Sequence, residues 1–247
     1  MENLNPKSTE SKNPLKSEHL KEGVRPIMAG IGTRNQFMSH SGAEKIIFER
    51  ADTDTSGMHN VDYYGNPEDL AEKKFKNAGK YSYVISPIDN SDKFSKSFLN
   101  CTGLVVTGQD KNTGEDISFL SHQDPAYFLR ETNRNVFLSD LRQRLNELKE
   151  KGAEGTVDAV IIGGNYLPNN AEFQKHYLES IKLLSEETLK ILGFEPVVMT
   201  GPKTTLGADD VFYDNKNRRL YIMRPEVGKA STESFVQSKI EEQEKKW

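Results

Sequence analysis

The chain contains a single cysteine, Cys101, and five histidines. Cys101 stands where a polar stretch gives way to the apolar run Leu104-Val105-Val106-Thr107, and His122 closes a second run, Ile117-Ser118-Phe119-Leu120. Between the runs, Asp110-Lys111-Asn112-Thr113-Gly114 has the composition of a tight turn, with a glycine available for positive φ. The two runs read as an antiparallel hairpin, whose entry and exit lie side by side. With the turn near Asn112, the side chains of Cys101 and His122 fall almost opposite each other. An imidazole beside a thiol can take its proton or stabilise the thiolate, and the thiolate is the nucleophile for attack on an amide or acyl carbon. The chemistry implied is acyl transfer. The competing expectation is a cysteine that only packs beside a backbone-bonded histidine, since free cysteine is among the most buried residue types.

Other constellations are weaker. His19, His40, His59, His122 and His176 show neither an HExxH motif nor a paired spacing, and one cysteine cannot build a Cys-rich site, so no metal is expected. Ala29-Gly30-Ile31-Gly32 and Gly163-Gly164-Asn165 do not continue into a phosphate or dinucleotide fingerprint, and Gly-x-Ser-x-Gly is absent; no cofactor is expected. Gly163, Gly164 and Asn165, with Tyr166, read as a turn that needs small residues or as pocket lining at a strand end. Gln123 and Asp124 either add polar orientation beside His122 or are plain loop residues. His40 and His59, in a polar region, are expected to be solvated, as is the small basic face of Lys73, Lys74, Lys76 and Lys80.

Elements must exist to position these groups. Val24–Gly32, Lys45–Glu49 and Tyr81–Ser86 have strand-like composition, the last followed by a polar loop up to Cys101; Pro67–Phe75 suggests a short helix. Asn135–Lys151 places Phe137, Leu138, Leu141, Leu145 and Leu148 on one helical face, with Gly152 as a stop. Val157–Gly163 reads as a buried strand, Glu172–Leu192 as one helix or two broken near Ser185, and Pro196–Met199 as a strand. Asp210–Tyr213 and Leu220–Met223 form a second hairpin around Asp214–Arg218. This mixed order is α/β without regular βαβ alternation.

Composition bounds the rest. Ala, Val, Ile, Leu, Met, Phe, Trp, Cys and Gly make up about 39% of 247 residues, below the ~45–50% of ordinary globular domains. One domain with polar tails fits: a disordered arm over 1–22, whose only aliphatic side chains are Leu4, Leu15 and Leu20, an extension of short strands and loops over 23–80, the domain proper over 81–228, and a charged helix or tail over 229–247. A net charge of −4 supplies no positive excess for a phosphate backbone, so nucleic acid is not an expected partner. No apolar run spans a membrane and no secretory signal opens the chain, which leaves a cytoplasmic location or export without a Sec-type signal peptide.

Around the cysteine, Tyr83-Val84-Ile85-Ser86 followed by Ser95-Lys96-Ser97-Phe98-Leu99-Asn100-Cys101 resembles the nucleophile segment of the CheD-type bacterial chemoreceptor glutamine deamidases. Phe119-Leu120-Ser121-His122, with Pro125 shortly after, is similar to their histidine segment. Asp158–Asn165, Gly193–Val198 and the hairpin Val211–Met223 follow in the same order. The resemblance covers roughly residues 81 to 225, and extends to the superfamily that includes the catalytic domain of cytotoxic necrotizing factor toxins. It implies a layered α/β/β sandwich with a mixed sheet and a cysteine hydrolase that converts glutamine to glutamate on a protein substrate, in a toxin, effector or regulator. On that basis Cys101 attacks the carboxamide, His122 serves as base and then acid, Ser95 orients the imidazole, and backbone N–H groups near Asn100 and Cys101 bind the oxyanion. Gly163, Gly164 and Asn165 match the family's Gly-Gly strand end. The chain departs from the pattern at Leu99-Asn100, where the family has Gly-Ser, and at Met199–Gly207, which stands for the family's Gly-Gly-x-x-x-Arg signature without its arginine. The alternative is an inactive protein-binding module on the same fold.

Overall fold

The computed structural model describes residues 18–33, 58–61, 83–164, 171–199 and 208–224. Among the described residues, ten strands form two mixed five-stranded sheets. The first sheet has the order β1-β10-β9-β4-β2, from β1 (Met28–Thr33), β2 (Met58–Asn60), β4 (Asp92–Phe98), β9 (Asp209–Asp214) and β10 (Arg219–Arg224). The second has the order β3-β6-β5-β7-β8, from β3 (Tyr83–Ile85), β5 (Thr102–Gln109), β6 (Asp116–Gln123), β7 (Asp158–Gly163) and β8 (Val197–Met199). The helices are α1 (Pro125–Phe128), α2 (Glu131–Lys151) and α3 (Ala171–Leu192).

Period-two alternation decides the layers. On β5, Val105 joins the apolar cluster between the sheets, with Val84, Leu120, Val160, Ile162, Val211 and Ile222. Leu104 and Val106 point the other way, into a second cluster with Phe137, Leu141, Leu145, Leu148 and Leu184 of α2 and α3. The second sheet is therefore apolar on both faces, with the helices on one side and the first sheet on the other. This is the expected α/β/β sandwich. None of the helices among the described residues is long and apolar enough to cross a membrane.

The β5–β6 hairpin forms around the expected turn, closed by Gly114 N–H to the Asp110 carbonyl at 2.7 Å. The second hairpin, β9–β10, is present, and α3 runs unbroken through Ser185. One stretch differs from the sequence reading. The stretch before Cys101 is not a loop throughout: Asp92–Phe98 is a central strand, paired with β9 on one side and β2 on the other. Within 23–80 the short strands β1 and β2 join the first sheet, β1 in parallel with β10 and β2 in parallel with β4. Of the arm expected over 1–22, residues 18–22 pack onto the domain: His19 stacks on Phe194 at 3.6 Å and Lys21 N–H bonds the Gly155 carbonyl at 2.8 Å. The elements expected at Lys45–Glu49, Pro67–Phe75 and 229–247, the basic face, and His40 lie outside the described residues.

Candidate active site between the sheets

The hairpin register pairs Thr102 with Gln123 and Val105 with Leu120. His122 thus stands level with Gly103, and Cys101 with Asp124. Cys101 and His122 share the face turned toward the first sheet, one diagonal step apart instead of directly opposite, a separation of roughly 7–8 Å between such Cα atoms. Both are fully buried. Cys101 lies among Phe98, Val84, Val105 and Leu120.

The third group comes from the other sheet. Ser95, on β4 and also fully buried, faces His122 across the sandwich, with Oγ 2.7 Å from Nδ1. The same Oγ donates to the Val61 carbonyl at 2.6 Å. A hydroxyl has one proton to give, so with Val61 receiving it the Ser95 oxygen accepts from His122 Nδ1–H. That fixes the tautomer and leaves Nε2 as the basic nitrogen. The Phe98 ring stacks on the imidazole at 3.9 Å and 13°, holding its plane. Burial drives His122 down to about 3, opposed by the backbone hydrogen bond to Val61. The resting imidazole is therefore neutral.

A bulge makes this geometry possible. The β4–β9 register shifts between Ser95 and Phe98, and Ser97 adopts φ +66°, a left-handed conformation uncommon outside glycine, with its N–H bonded to Asp210 at 3.0 Å. The extra residue lets Ser95 and Phe98 both point inward onto His122, although their spacing in an ideal strand would put them on opposite faces.

Gly163 and Gly164 support the cysteine from below. Both have positive φ, +76° and +79°. Gly164 N–H donates to the Cys101 carbonyl at 2.6 Å. A Cβ on Gly163 would collide with that carbonyl oxygen and sit 2.8 Å from the Phe98 ring. The two glycines are needed for different neighbours: at Gly163 the Cys101 backbone lies too close for a side chain, and a Cβ on Gly164 would meet the Tyr177 ring at 2.8 Å. Asn100 is half-buried, and its Nδ2 donates to Asp124 Oδ1 at 3.2 Å. Asn165 and Tyr166 lie outside the described residues.

The sequence reading gave no sign of the Val61 carbonyl, a backbone atom without a side-chain signature, or of Phe98 as the stacking partner. It also placed His59 in solvent, whereas His59 Nε2 is 2.5 Å from Asp89 Oδ2, part-buried. Asp89 Oδ1 in turn accepts from Lys93 Nζ at 2.9 Å, and that ammonium, with no exposed side-chain surface, also bonds the Ser91 carbonyl. Burial raises the Asp89 carboxyl, but the bonds from His59 and Lys93 outweigh it and hold the group well below the usual carboxylate range. Burial pushes Lys93 below the ordinary lysine value, against the attraction of Asp89.

No family model matches the chain, and no curated protein matches it.

Proposed function

We propose that the chain is a cysteine amide hydrolase that converts glutamine side chains to glutamate on a protein substrate, of the CheD-like kind. The observation that carries this reading is the Ser95–His122 bond at 2.7 Å, made from the opposite sheet and itself anchored on Val61. A histidine that only fills space needs no oriented tautomer, whereas a general base does. In the reaction, Nε2 accepts the Sγ proton as sulfur attacks the carboxamide carbon. The resulting imidazolium returns that proton to the nitrogen as the C–N bond breaks, releasing ammonia and leaving a thioester on Cys101. Water, deprotonated by the same Nε2, then hydrolyses the thioester to glutamate and restores the thiol. Ser95 holds the tautomer in which Nε2 is the basic nitrogen, and backbone N–H groups at Asn100 and Cys101 receive the oxyanion.

A second reading rests on the complete burial of Cys101 and its apolar neighbours. It assigns the fold to protein binding, with an inert thiol. Labelling with iodoacetamide between about pH 5 and pH 9, read by intact mass, separates the two. A working nucleophile labels in the folded protein, more slowly in His122→Ala and in Ser95→Ala. Labelling only as fast as the chain unfolds, and indifferent to both variants, would overturn the hydrolase reading in favour of the binding module.

A further inference from the structure

Residues 99–101 lie outside both flanking strands, directly after the bulge that ends at Phe98. A segment redirected in this way takes its course from whatever bonds it makes on either flank. On one flank the Cys101 carbonyl accepts from Gly164 N–H at 2.6 Å. On the other, the residue immediately before the cysteine donates through Asn100 Nδ2 to Asp124 Oδ1 at 3.2 Å. Asp124 stands level with Cys101 across the hairpin and is 8% exposed. The same Oδ1 accepts from Ala126 N–H at 2.9 Å, which ties the carboxylate to the start of α1. Its Oδ1 is thus shared between the start of α1 and the cysteine segment.

Building on the reading of Cys101 as nucleophile, we propose that Asp124 is a positioning residue that acts through Asn100 to set the direction in which Cys101 presents its thiol to His122. Asp124 does not touch the reacting atoms. It fixes the peptide that carries them, as Ser95 fixes the imidazole, so that each partner of the Cys–His pair has its own orienting group. Preorganisation of this kind matters because a small misplacement of a reacting atom costs a large part of the rate.

The test is a hydrogen-bond swap in the full chain, with circular dichroism as the check on folding. The readout is the factor by which His122→Asn slows iodoacetamide labelling of Cys101 at pH 7. In the otherwise unaltered chain that factor is roughly a hundredfold, the low end of a general-base contribution. In Asn100→Asp, where two carboxylates face each other, and in Asp124→Leu, where the acceptor is gone, it falls below about threefold because the thiol no longer faces the imidazole. Asp124→Asn keeps an oxygen for Asn100 and Ala126 and stays within about threefold of the original factor. Combining Asn100→Asp with Asp124→Asn exchanges amide and carboxylate and restores the factor to at least about thirtyfold. If Asp124→Leu does not fold, Asn100→Asp and the swap decide the question by themselves. A swap that leaves the factor where Asn100→Asp put it, while His122→Asn still slows the unaltered chain, overturns the positioning role alone. Labelling of the unaltered chain that ignores His122→Asn overturns the nucleophile reading, and the proposal with it.

Discussion

Gly114 and Gly163 provide a matched pair for measuring how tightly the candidate site is built. Their φ angles are nearly equal, +74° and +76°, but their surroundings are opposite. A Cβ at Gly114 meets nothing within 4 Å, whereas one at Gly163 runs into the Cys101 carbonyl oxygen and lies 2.8 Å from Phe98. Alanine at either position bears the left-handed penalty of about 1–2 kcal/mol, reduced by the ~0.4–1 kcal/mol that alanine removes from unfolded-chain entropy. Gly114→Ala should therefore cost about 1 kcal/mol. Gly163→Ala adds an overpacking cost of about 1–3 kcal/mol. It also strains the Gly164–Cys101 bond, worth about 1 kcal/mol, because the carbonyl can retreat only by leaving that donor. The expected total is roughly 3–5 kcal/mol, a large fraction of the ~5–15 kcal/mol stability of a typical domain. Urea unfolding followed by far-ultraviolet circular dichroism measures both variants, and the difference between them cancels the shared φ penalty. If Gly163→Ala unfolds within about 1 kcal/mol of Gly114→Ala, the contact between the Gly163 backbone and Cys101 is not as close as described and the argument for a clamped nucleophile fails.

Two further outcomes follow from buried charge. His122 is held down to about 3 in the fold against an ordinary 6.5, so below pH 6.5 the unfolded chain binds the proton more readily and the folded state loses stability as pH falls. At about 1.4 kcal/mol per pH unit this loss is roughly 3 kcal/mol between pH 6.5 and pH 4; His122→Gln should flatten the fall in urea midpoint over that range, and an unchanged slope would contradict the neutral, buried imidazole. In the His59–Asp89–Lys93 cluster the two ends are not equivalent: Asp89→Asn strips the fully buried ammonium of its carboxylate and should cost about 3–5 kcal/mol, while Lys93→Met replaces the cation with an apolar chain of similar length and should cost less than half of that. The reverse order in thermal or urea unfolding would show that Lys93 is not sealed from water.

Local pattern carried much of this structure. The β5–β6 hairpin was readable because two apolar runs flank a turn containing Gly114, and α2 because Phe137, Leu138, Leu141, Leu145 and Leu148 repeat at helical spacing; all five are buried against the second sheet. β4 was hidden because two of its inward positions, Lys93 and Ser95, are polar residues that turn toward the core for ion pairing and for His122. Periodicity of hydrophobic residues has no means of marking such a strand. Sheet order was hidden for a different reason: the parallel pairings of β1 with β10 and β2 with β4 join segments far apart in the chain, and no local turn announces them. At the site, the Cys101–His122 juxtaposition followed from hairpin geometry, with an error of one diagonal step. Ser95 was identified only through resemblance to a family. Its tether at Val61 is a backbone atom and so left no trace in residue types.

The candidate site is assembled from both sheets, and this sets a timetable. Cys101 and His122 belong to one hairpin that can pair as soon as it leaves the ribosome, but Ser95 sits on a strand whose antiparallel neighbour is Asp209–Asp214, and β1 waits for Arg219–Arg224. At ~5–20 residues per second, synthesis reaches β10 roughly 5–20 s after His122 has been made. Throughout that interval the hairpin face that bears the thiol has no first sheet to cover it. Over the same interval His122 has no Ser95 across from it, so closure of the sandwich is the event that orients the imidazole.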